Sequence, residues 1–451
     1  MIALLNDLRR KMGVDRPVLY TLIGRGWSLI SGPITILLLT TFLSPTLQGY
    51  YYTFGSLLAL QVVLELGFSA CVVQFASHEF AHLKFQPTGL VEGEPRNRSR
   101  LISLARLSLK WYWVMALLVF VFLGVGGHLF FLAKHDPHVA WAWPWWSLCF
   151  STALTLNLLP AWALLEGCNQ LSFTTGLRLI TQVLASPVMW GALYFGAGLF
   201  TGSVTTLTVS LVTIAVFGWS WRGFWREVYA VPQGETISWG KEIWPLQWRI
   251  AISSISLYFT TQILTSVLFY FRGPVVAGQM GATLQLMLAL HTLAIAWLAT
   301  KAPLFGILVA QKKYDELDRS FLKGAAQAVG ACISGGILLL LALAYVKAHY
   351  RIGERFLDLG TTALLLVGPI TAQIIYGQSM YLRAHKKEPF MVLTVVNGLA
   401  NALLVILLTR FFGARGTCLA YASVQLAILI WATLVWQNCR REWHQTGPPN
   451  A

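Results

Sequence analysis

The chain is short of charge. Only 11% of its 451 residues are Asp, Glu, Lys or Arg, where an ordinary soluble domain carries roughly a quarter. A soluble protein of this length needs far more charged surface, so a soluble enzyme is not expected. With 56% hydrophobic residues the chain is not disordered either. Acid is the scarcer sign: 18 Asp and Glu stand against 33 Lys and Arg, a net charge of +15. In a soluble chain that excess would suggest nucleic acid. In an apolar one it marks basic cytoplasmic loops beside anionic lipid, and no nucleic-acid partner is expected. Cysteine is sparse. The six, at 71, 149, 168, 332, 418 and 439, include no CxxC pair and mostly fall in apolar runs, which argues for packing roles rather than a disulfide framework or metal cluster. GxxxxGK[ST] and GxSxG are both missing, so neither ATP hydrolysis nor a serine hydrolase is indicated, and no cofactor is expected.

Long apolar runs are abundant. A bilayer core needs roughly 20 apolar residues per helix. Twelve candidate spans emerge: 18–42, 50–76, 107–133, 143–166, 172–196, 203–222, 243–270, 276–300, 321–346, 359–381, 389–411 and 416–437. The first is too long for a leader core and reads as a retained span. The longest connection, 77–106, contains Gly93-Glu94-Pro95-Arg96-Asn97-Arg98-Ser99-Arg100 and reads as solvated. With alternating spans, the side holding the N-terminus carries 25 Lys and Arg and the other side 7. That asymmetry predicts both ends in the cytoplasm. Trp141, Trp143, Trp145 and Trp146 at the outer start of the fourth span read as an interfacial aromatic belt.

Two halves are related by an internal repeat. Pro45 and Gly49 after the first span match Pro274 and Gly278 after the seventh, a shift of 229; Phe195-Gly196-Ala197 and Leu165 match Phe412-Gly413-Ala414 and Leu382 at a shift of 217. The organisation expected is a cytoplasmic N-terminus (1–17), an N-terminal six-helix lobe (18–222), a cytoplasmic linker (223–242), a C-terminal six-helix lobe (243–437) and a cytoplasmic tail (438–451).

Several stretches carry a resemblance. They are Leu43-Ser44-Pro45 to Gly49-Tyr50, Leu66-Gly67-Phe68 to Gln74-Phe75, Gln311-Lys312-Lys313-Tyr314-Asp315-Glu316-Leu317, and Phe412-Gly413-Ala414-Arg415-Gly416. In this order, over nearly the whole chain, they resemble the multidrug/oligosaccharidyl-lipid/polysaccharide exporter superfamily, in particular its O-antigen flippase-like branch. The resemblance implies a fourteen- or twelve-helix V-shaped fold working by alternating access; with the span count and the repeat, the fold expected is all-α integral membrane, twelve transmembrane helices in two pseudo-symmetric six-helix lobes around a central cavity. It implies a bacterial inner-membrane flippase that moves a polyprenyl-pyrophosphate-linked oligosaccharide to the outer leaflet. Membrane lipid, a polysaccharide polymerase and glycosyltransferases would be its partners.

Ionisable and amide groups inside spans are the site candidates, because burying them in lipid is costly. Arg25 and Arg249, in repeat-related helices, offer guanidinium forks suited to a pyrophosphate; snorkelling to the headgroups is the competing role. Gln61 and Gln262 are candidates for sugar hydroxyls. His291 is a candidate substrate contact or a satisfied buried histidine. Glu65, near the middle of the second span, is expected either to couple an ion or to close a structural pair, with Arg25 as one partner. Gly32-Pro33 is a candidate hinge.

His78-Glu79-Phe80-Ala81-His82 matches HExxH, which on a helix puts two imidazoles on one face for zinc. An intramembrane zinc protease would need a third ligand, for which Asp358 is the candidate, but that residue is predicted at the opposite membrane face. A polar gate or loop anchor fits better. Two rival functions are a cation-coupled multidrug antiporter of the same superfamily, which would want acidic residues in its cavity, and a glycan polymerase or ligase. The basic lean of the intramembrane charge favours the anionic lipid.

Overall fold

The computed structural model describes residues 15–86, 88–134, 136–229, 234–385, 387 and 389–445. The expected N-terminal cytoplasmic segment lies outside them as far as residue 14, and the expected tail from residue 446 onward. The fold is helical. Its sheet among the described residues is one antiparallel pair, β1 (Leu83–Phe85) with β2 (Val91–Gly93). In chain order the helices are α1 (Arg16–Phe42), α2 (Pro45–Leu58), α3 (Gln61–Glu65), α4 (Phe68–Phe80), α5 (Pro95–Leu118), α6 (Gly124–Ala133), α7 (Ala142–Leu156), α8 (Leu159–Gly167), α9 (Leu171–Tyr194), α10 (Thr201–Ser220) and α11 (Arg222–Tyr229). They continue as α12 (Trp244–Thr261), α13 (Ile263–Arg272), α14 (Pro274–Ala294), α15 (Ala296–Ala299), α16 (Ala302–Ala310), α17 (Tyr314–His349), α18 (Leu359–Ala384) and α19 (Met391–Gln445).

Among the described residues, eight helices, or ten when each bent pair is one span, are long and apolar enough to cross a membrane. The 24-residue α9 and the division of α19 at Gly413 (φ 61°, ψ −139°) supply the rest, so each of the twelve expected spans is met by helix. The boundaries differ from expectation in several places: α11 lies in the expected linker, α16 follows the expected end of the eighth span, and α19 runs into the expected tail. The stretch 77–106 is solvated about Glu92–Arg96 and Arg98, as expected, but it is not a plain loop. α4 runs to Phe80, β1 and β2 follow, and α5 starts at Pro95, where a proline costs no hydrogen bond. Leu83, Val91, Leu101 and Leu104 from this stretch are buried. Its charge density hid a helix whose arginines are paired with carboxylates, Arg96 and Arg98 in solvent and Arg100 largely shielded.

Contacts divide the chain into two units. The first is the chain to Leu47 with Leu57–Ser254; the second is Gln48–Ser56 with Ile255–Ala451. In the first, α4 lies along α8, where Gly167 lets the backbones close up: a Cβ there would sit 2.6 Å from Ala76 Cβ and 2.7 Å from the Val73 carbonyl. Around this crossing Phe68, Cys71, Val72, Leu101, Leu104, Leu164 and Leu165 form a fully buried core. In lipid no hydrophobic force draws helices together, so this close fit is what holds them.

The outer tryptophans correct another expectation. Trp145 is fully buried and Trp141 nearly so, while Trp143 alone is widely exposed, at 80%. Gly124 and Gly127 make room: their Cβ atoms would fall 2.4 Å from Trp146 and 2.1 Å from Trp145, and the Trp145 indole donates to the Gly124 carbonyl at 2.9 Å. Most of the belt is a packed layer between α6 and α7.

In the second unit the turn residues singled out by the repeat meet each other. α2 and α14 both begin at the repeat prolines. A Cβ on Gly49 would lie 1.9 Å from the Pro274 carbonyl oxygen, and one on Gly278 would lie 2.9 Å from the Gly49 nitrogen. Buried Gln48 donates to the Gly278 carbonyl at 3.0 Å and the Arg355 carbonyl at 3.2 Å. The other repeat pair also has a common geometry: Gly196 and Gly413 both take positive φ, 77° and 61°, where their helices end or break. The core around α17 and α18 is built from Phe321, Ala328, Tyr381, Leu382, Val424 and Ile428. The six cysteines are free thiols, five of them buried.

Candidate functional site

The second expected span is broken twice. α2 gives way to a turn at Ala59-Leu60, and α3 ends at Leu66 and Gly67, both left-handed (φ 54° and 64°). Leucine pays a steric cost in that region; glycine does not. The bend between α2–α3 and α4 is 45°. Gly67 is required twice over, since a Cβ would also strike Ile250 Cγ2 at 2.4 Å. Broken helices expose backbone polar groups inside a membrane, and transporters build sites there.

Three sequence candidates sit at such breaks. Gln61 opens α3 and Glu65 closes it. Gln262 lies in the interruption between α12 and α13, which bend by 43°. Its carbonyl accepts from Ser56 Oγ, which is also 2.7 Å from Ser266 Oγ.

Glu65 does not pair with Arg25. Its Oε1 accepts from Tyr112 OH at 2.7 Å and Ser69 Oγ at 2.5 Å. Both donors are hydroxyls, and no salt bridge reaches the carboxylate among the described residues. Tyr112 is fully buried and comes from α5, so it aims its hydroxyl at the break from outside the bent helix.

Arg25 is exposed on α1 and makes no hydrogen bond or ion pair among the described residues. The opposite side of α1 is committed to α9. Trp27 Nε1 donates to Ser186 Oγ at 3.1 Å, Trp190 Nε1 to Thr35 Oγ1 at 2.9 Å, and Gln182 Nε2 to the Gly24 carbonyl at 3.0 Å. Arg249 is exposed on α12, 5.6 Å from the Trp248 ring centroid. Its neighbour Ile250 is the residue seated against Gly67. Arg25, Arg249, Gln61 and Glu65 all belong to the first unit, whereas Gln262 and His291 belong to the second.

His291 is a satisfied histidine. Gln373 Nε2 lies 3.0 Å from its Nδ1 and donates to its carbonyl at 3.2 Å. Gln373 is fully buried on α18, four residues past Pro369. Gly32 has open space where a Cβ would be, and α1 continues through Pro33 to Phe42.

The HExxH residues do not form a zinc face. His78 and Glu79 lie in the last turn of α4, but His82 falls beyond its end. Glu79 is buried and committed to other partners, Arg100 Nε at 2.8 Å and Asn97 Nδ2 at 3.2 Å. Asp358 caps α18, accepting from the Thr361 N–H at 3.0 Å and its hydroxyl at 2.6 Å. Burial raises the Asp358 carboxyl, but these bonds outweigh it and hold the group below its ordinary value. No group of three metal-ligating side chains occurs among the described residues. Two other basic residues near helix ends are held by protein: Arg178 pairs with Glu166 at 2.6 Å, and Lys301 donates to the Ser320 carbonyl at 3.4 Å.

The partners that sequence reasoning missed are Tyr112, Ser69, Ser56, Ser266, Gln182 and Gln373. The signal for them was a polar group inside an apolar run, which marks a need for a partner without naming it.

No protein-family model and no curated protein matches the chain. Solved structures do. An inward-facing multidrug resistance MATE family transporter of the MOP superfamily superposes with a TM-score of 0.66 at 13% identity, over 90% of this chain and 99% of that one. The lipid II flippase MurJ, in an inward closed conformation, gives 0.69 at 12% identity over 93% and 87%. An outward-facing MATE family transporter gives 0.55 at 13% over 96% of each. The chain has the fold of the MOP-superfamily transporters. That is the fold expected from the four motif stretches, reached here at an identity where sequence comparison alone is silent. Within this MOP fold, the exposed arginines fall on the first and seventh spans and the paired carboxylate on the second.

Proposed function

We propose that this chain is a flippase for a polyprenyl-pyrophosphate-linked oligosaccharide, carrying it from the cytoplasmic to the outer leaflet of a bacterial inner membrane for surface polysaccharide synthesis. The observation that carries the reading is the state of the intramembrane charges. Arg25 is exposed without a partner among the described residues and Arg249 is exposed beside Trp248, while the carboxylate of Glu65 is engaged by two hydroxyls. A guanidinium fork suits phosphate oxygens, and its burial in an apolar span is stabilised by an arriving anion. A transporter for cationic drugs would present the opposite sign. Similarity in fold to a lipid II flippase supports a lipid-linked cargo, and similarity to MATE transporters supports alternating access.

In this mechanism Arg25 and Arg249 hold the pyrophosphate, Gln61 and Gln262 meet sugar hydroxyls, and the polyprenyl tail stays in lipid. Glu65 couples an ion, with Tyr112 and Ser69 fixing its orientation. Both termini are cytoplasmic, where the sugar-building glycosyltransferases act, and a polymerase takes the product on the other face.

The test is depletion in spheroplasts, with an impermeant probe of the lipid-linked sugar. The reading expects the sugar to remain on the cytoplasmic leaflet. It expects Arg25→Ala and Arg249→Ala, at normal expression, each to slow outward appearance by roughly tenfold or more, as for loss of a charge-assisted contact. Normal appearance of every lipid-linked sugar after depletion would sink it.

A further inference from the structure

The arginine-rich start of α5 has a use that the transport site does not absorb. Within the first unit, the chain that follows α10 comes back to α5 and is bonded to it on two faces. Arg98 Nη2 donates to Glu227 Oε1 at 2.9 Å, and Arg106 Nε donates to the Val228 carbonyl. Arg96 Nε donates to Glu235 Oε2 at 2.9 Å, Ser103 Oγ accepts from the Ile237 N–H at 2.9 Å, and Arg100 Nη2 donates to Glu242 Oε2 at 2.6 Å.

The spacing on α5 sorts these contacts. Residues 96, 100 and 103 fall at i, i+4 and i+7 and share one side of the helix; 98 lies roughly opposite, about 160° from 96, and 106 between them, about 80° from each. The shared side takes 235, 237 and 242, while 98 and 106 take 227 and 228. The two stretches 227–229 and 234–242 therefore hold the helix start from two sides rather than lying along one face.

Two anchors are internal to the fold. Glu227 is buried and also accepts from the Val91 N–H of β2 at 3.2 Å. Arg100 bridges buried Glu79 and Glu242, whose other oxygen accepts from the Ser238 N–H at 2.8 Å. Between Ser238 and Ile243, Trp239 packs on Trp111 with ring centroids 5.5 Å apart.

We propose that residues 227–229 and 234–242, which belong to the connection between the two sequence halves, are a strap locked onto the first unit by Arg100, and not a flexible tether. The Glu79 of the HExxH match is the buried counter-charge that makes Arg100 the lock. The strap moves as part of the first unit, so rearrangement of the chain begins beyond Ser254.

Spin labels at Arg96→Cys and Glu235→Cys test this on the full chain in liposomes. That pair is exposed, with side chains 64% and 55% accessible, and is dispensable. The expected result is one narrow distance distribution. Arg100→Gln broadens it several-fold and speeds chymotrypsin cleavage after exposed Tyr229 by tenfold or more. Glu242→Gln leaves the buried Glu79–Arg100 pair intact, so it folds, and it produces the same broadening to a smaller degree. A broad distribution in the native chain, or a narrow one in Glu242→Gln together with native cleavage, overturns the proposal. Both readouts are independent of any transported substrate.

Discussion

Substituting Gly49 by alanine is the sharpest test of how the second unit is packed. The added Cβ would lie 1.9 Å from the Pro274 carbonyl oxygen and 2.4 Å from its carbon. Ordinary contact begins near 3.4 Å, so the backbones of α2 and α14 must separate by about 1.5 Å. Backbone cannot turn aside as a side chain can, and overpacking of this kind costs about 1–3 kcal/mol. The same separation stretches the two bonds from Gln48 to the Gly278 and Arg355 carbonyls, 3.0 and 3.2 Å long. Leaving that buried amide unmet adds about 1–3 kcal/mol. The sum is about 2–6 kcal/mol. For a unit of this size roughly 2–4 °C accompanies each kcal/mol, so the melting temperature in detergent falls by about 5 °C or more. Gly26 is the control. Nothing lies within 4 Å of its Cβ position, and alanine there gains helix propensity worth up to about 1 kcal/mol. The comparison is a thermal melt of Gly49→Ala and Gly26→Ala side by side. Equal melting temperatures would refute the close crossing, and with it the idea that the repeat glycines are there because two helix starts pack backbone to backbone.

Two further outcomes follow from the structure. Tyr112→Phe removes one of the two hydroxyl donors to Glu65 with little change in volume; ion-coupled transport should slow by roughly tenfold at normal expression, and a native rate would count against Glu65 as the coupling group. His385 is held below its ordinary value, first by burial and then by Lys387, with the Tyr381 carbonyl and Asp318 opposing. A depressed histidine means the unfolded chain binds the proton more readily, so stability is full above pH about 6.5 and declines as pH falls below it. Melts from about pH 7.5 down to about pH 5.5 should show that decline, and His385→Gln should flatten it.

The particular residues show where sequence reasoning reached. The apolar runs located the long helices because membrane crossing is a matter of length and composition, which are local. The repeat was legible in Pro45, Gly49, Pro274 and Gly278 because tight turns and close approaches constrain residue type. Arg25, Glu65, Gln61 and Gln262 stood out because polar groups are expensive in lipid, and three of the four turned out to lie at helix breaks or beside one. The tryptophans at 141 and 145 misled because interfacial and buried indoles have the same local signature.

Tertiary structure alone decided the partners. The sequence offered Glu65 a coupling ion or Arg25, and only the course of α5 brought Tyr112 to it. Glu79 belonged to a zinc motif by spacing and to Arg100 by contact. The run from Glu94 to Arg106 read as a solvated loop because its carboxylate partners, Glu227, Glu235 and Glu242, lie more than a hundred residues away. A charge carries no mark of the charge that will neutralise it. Composition fixes where a chain must leave water, while pairing over such distances depends on which helices the folded chain sets side by side.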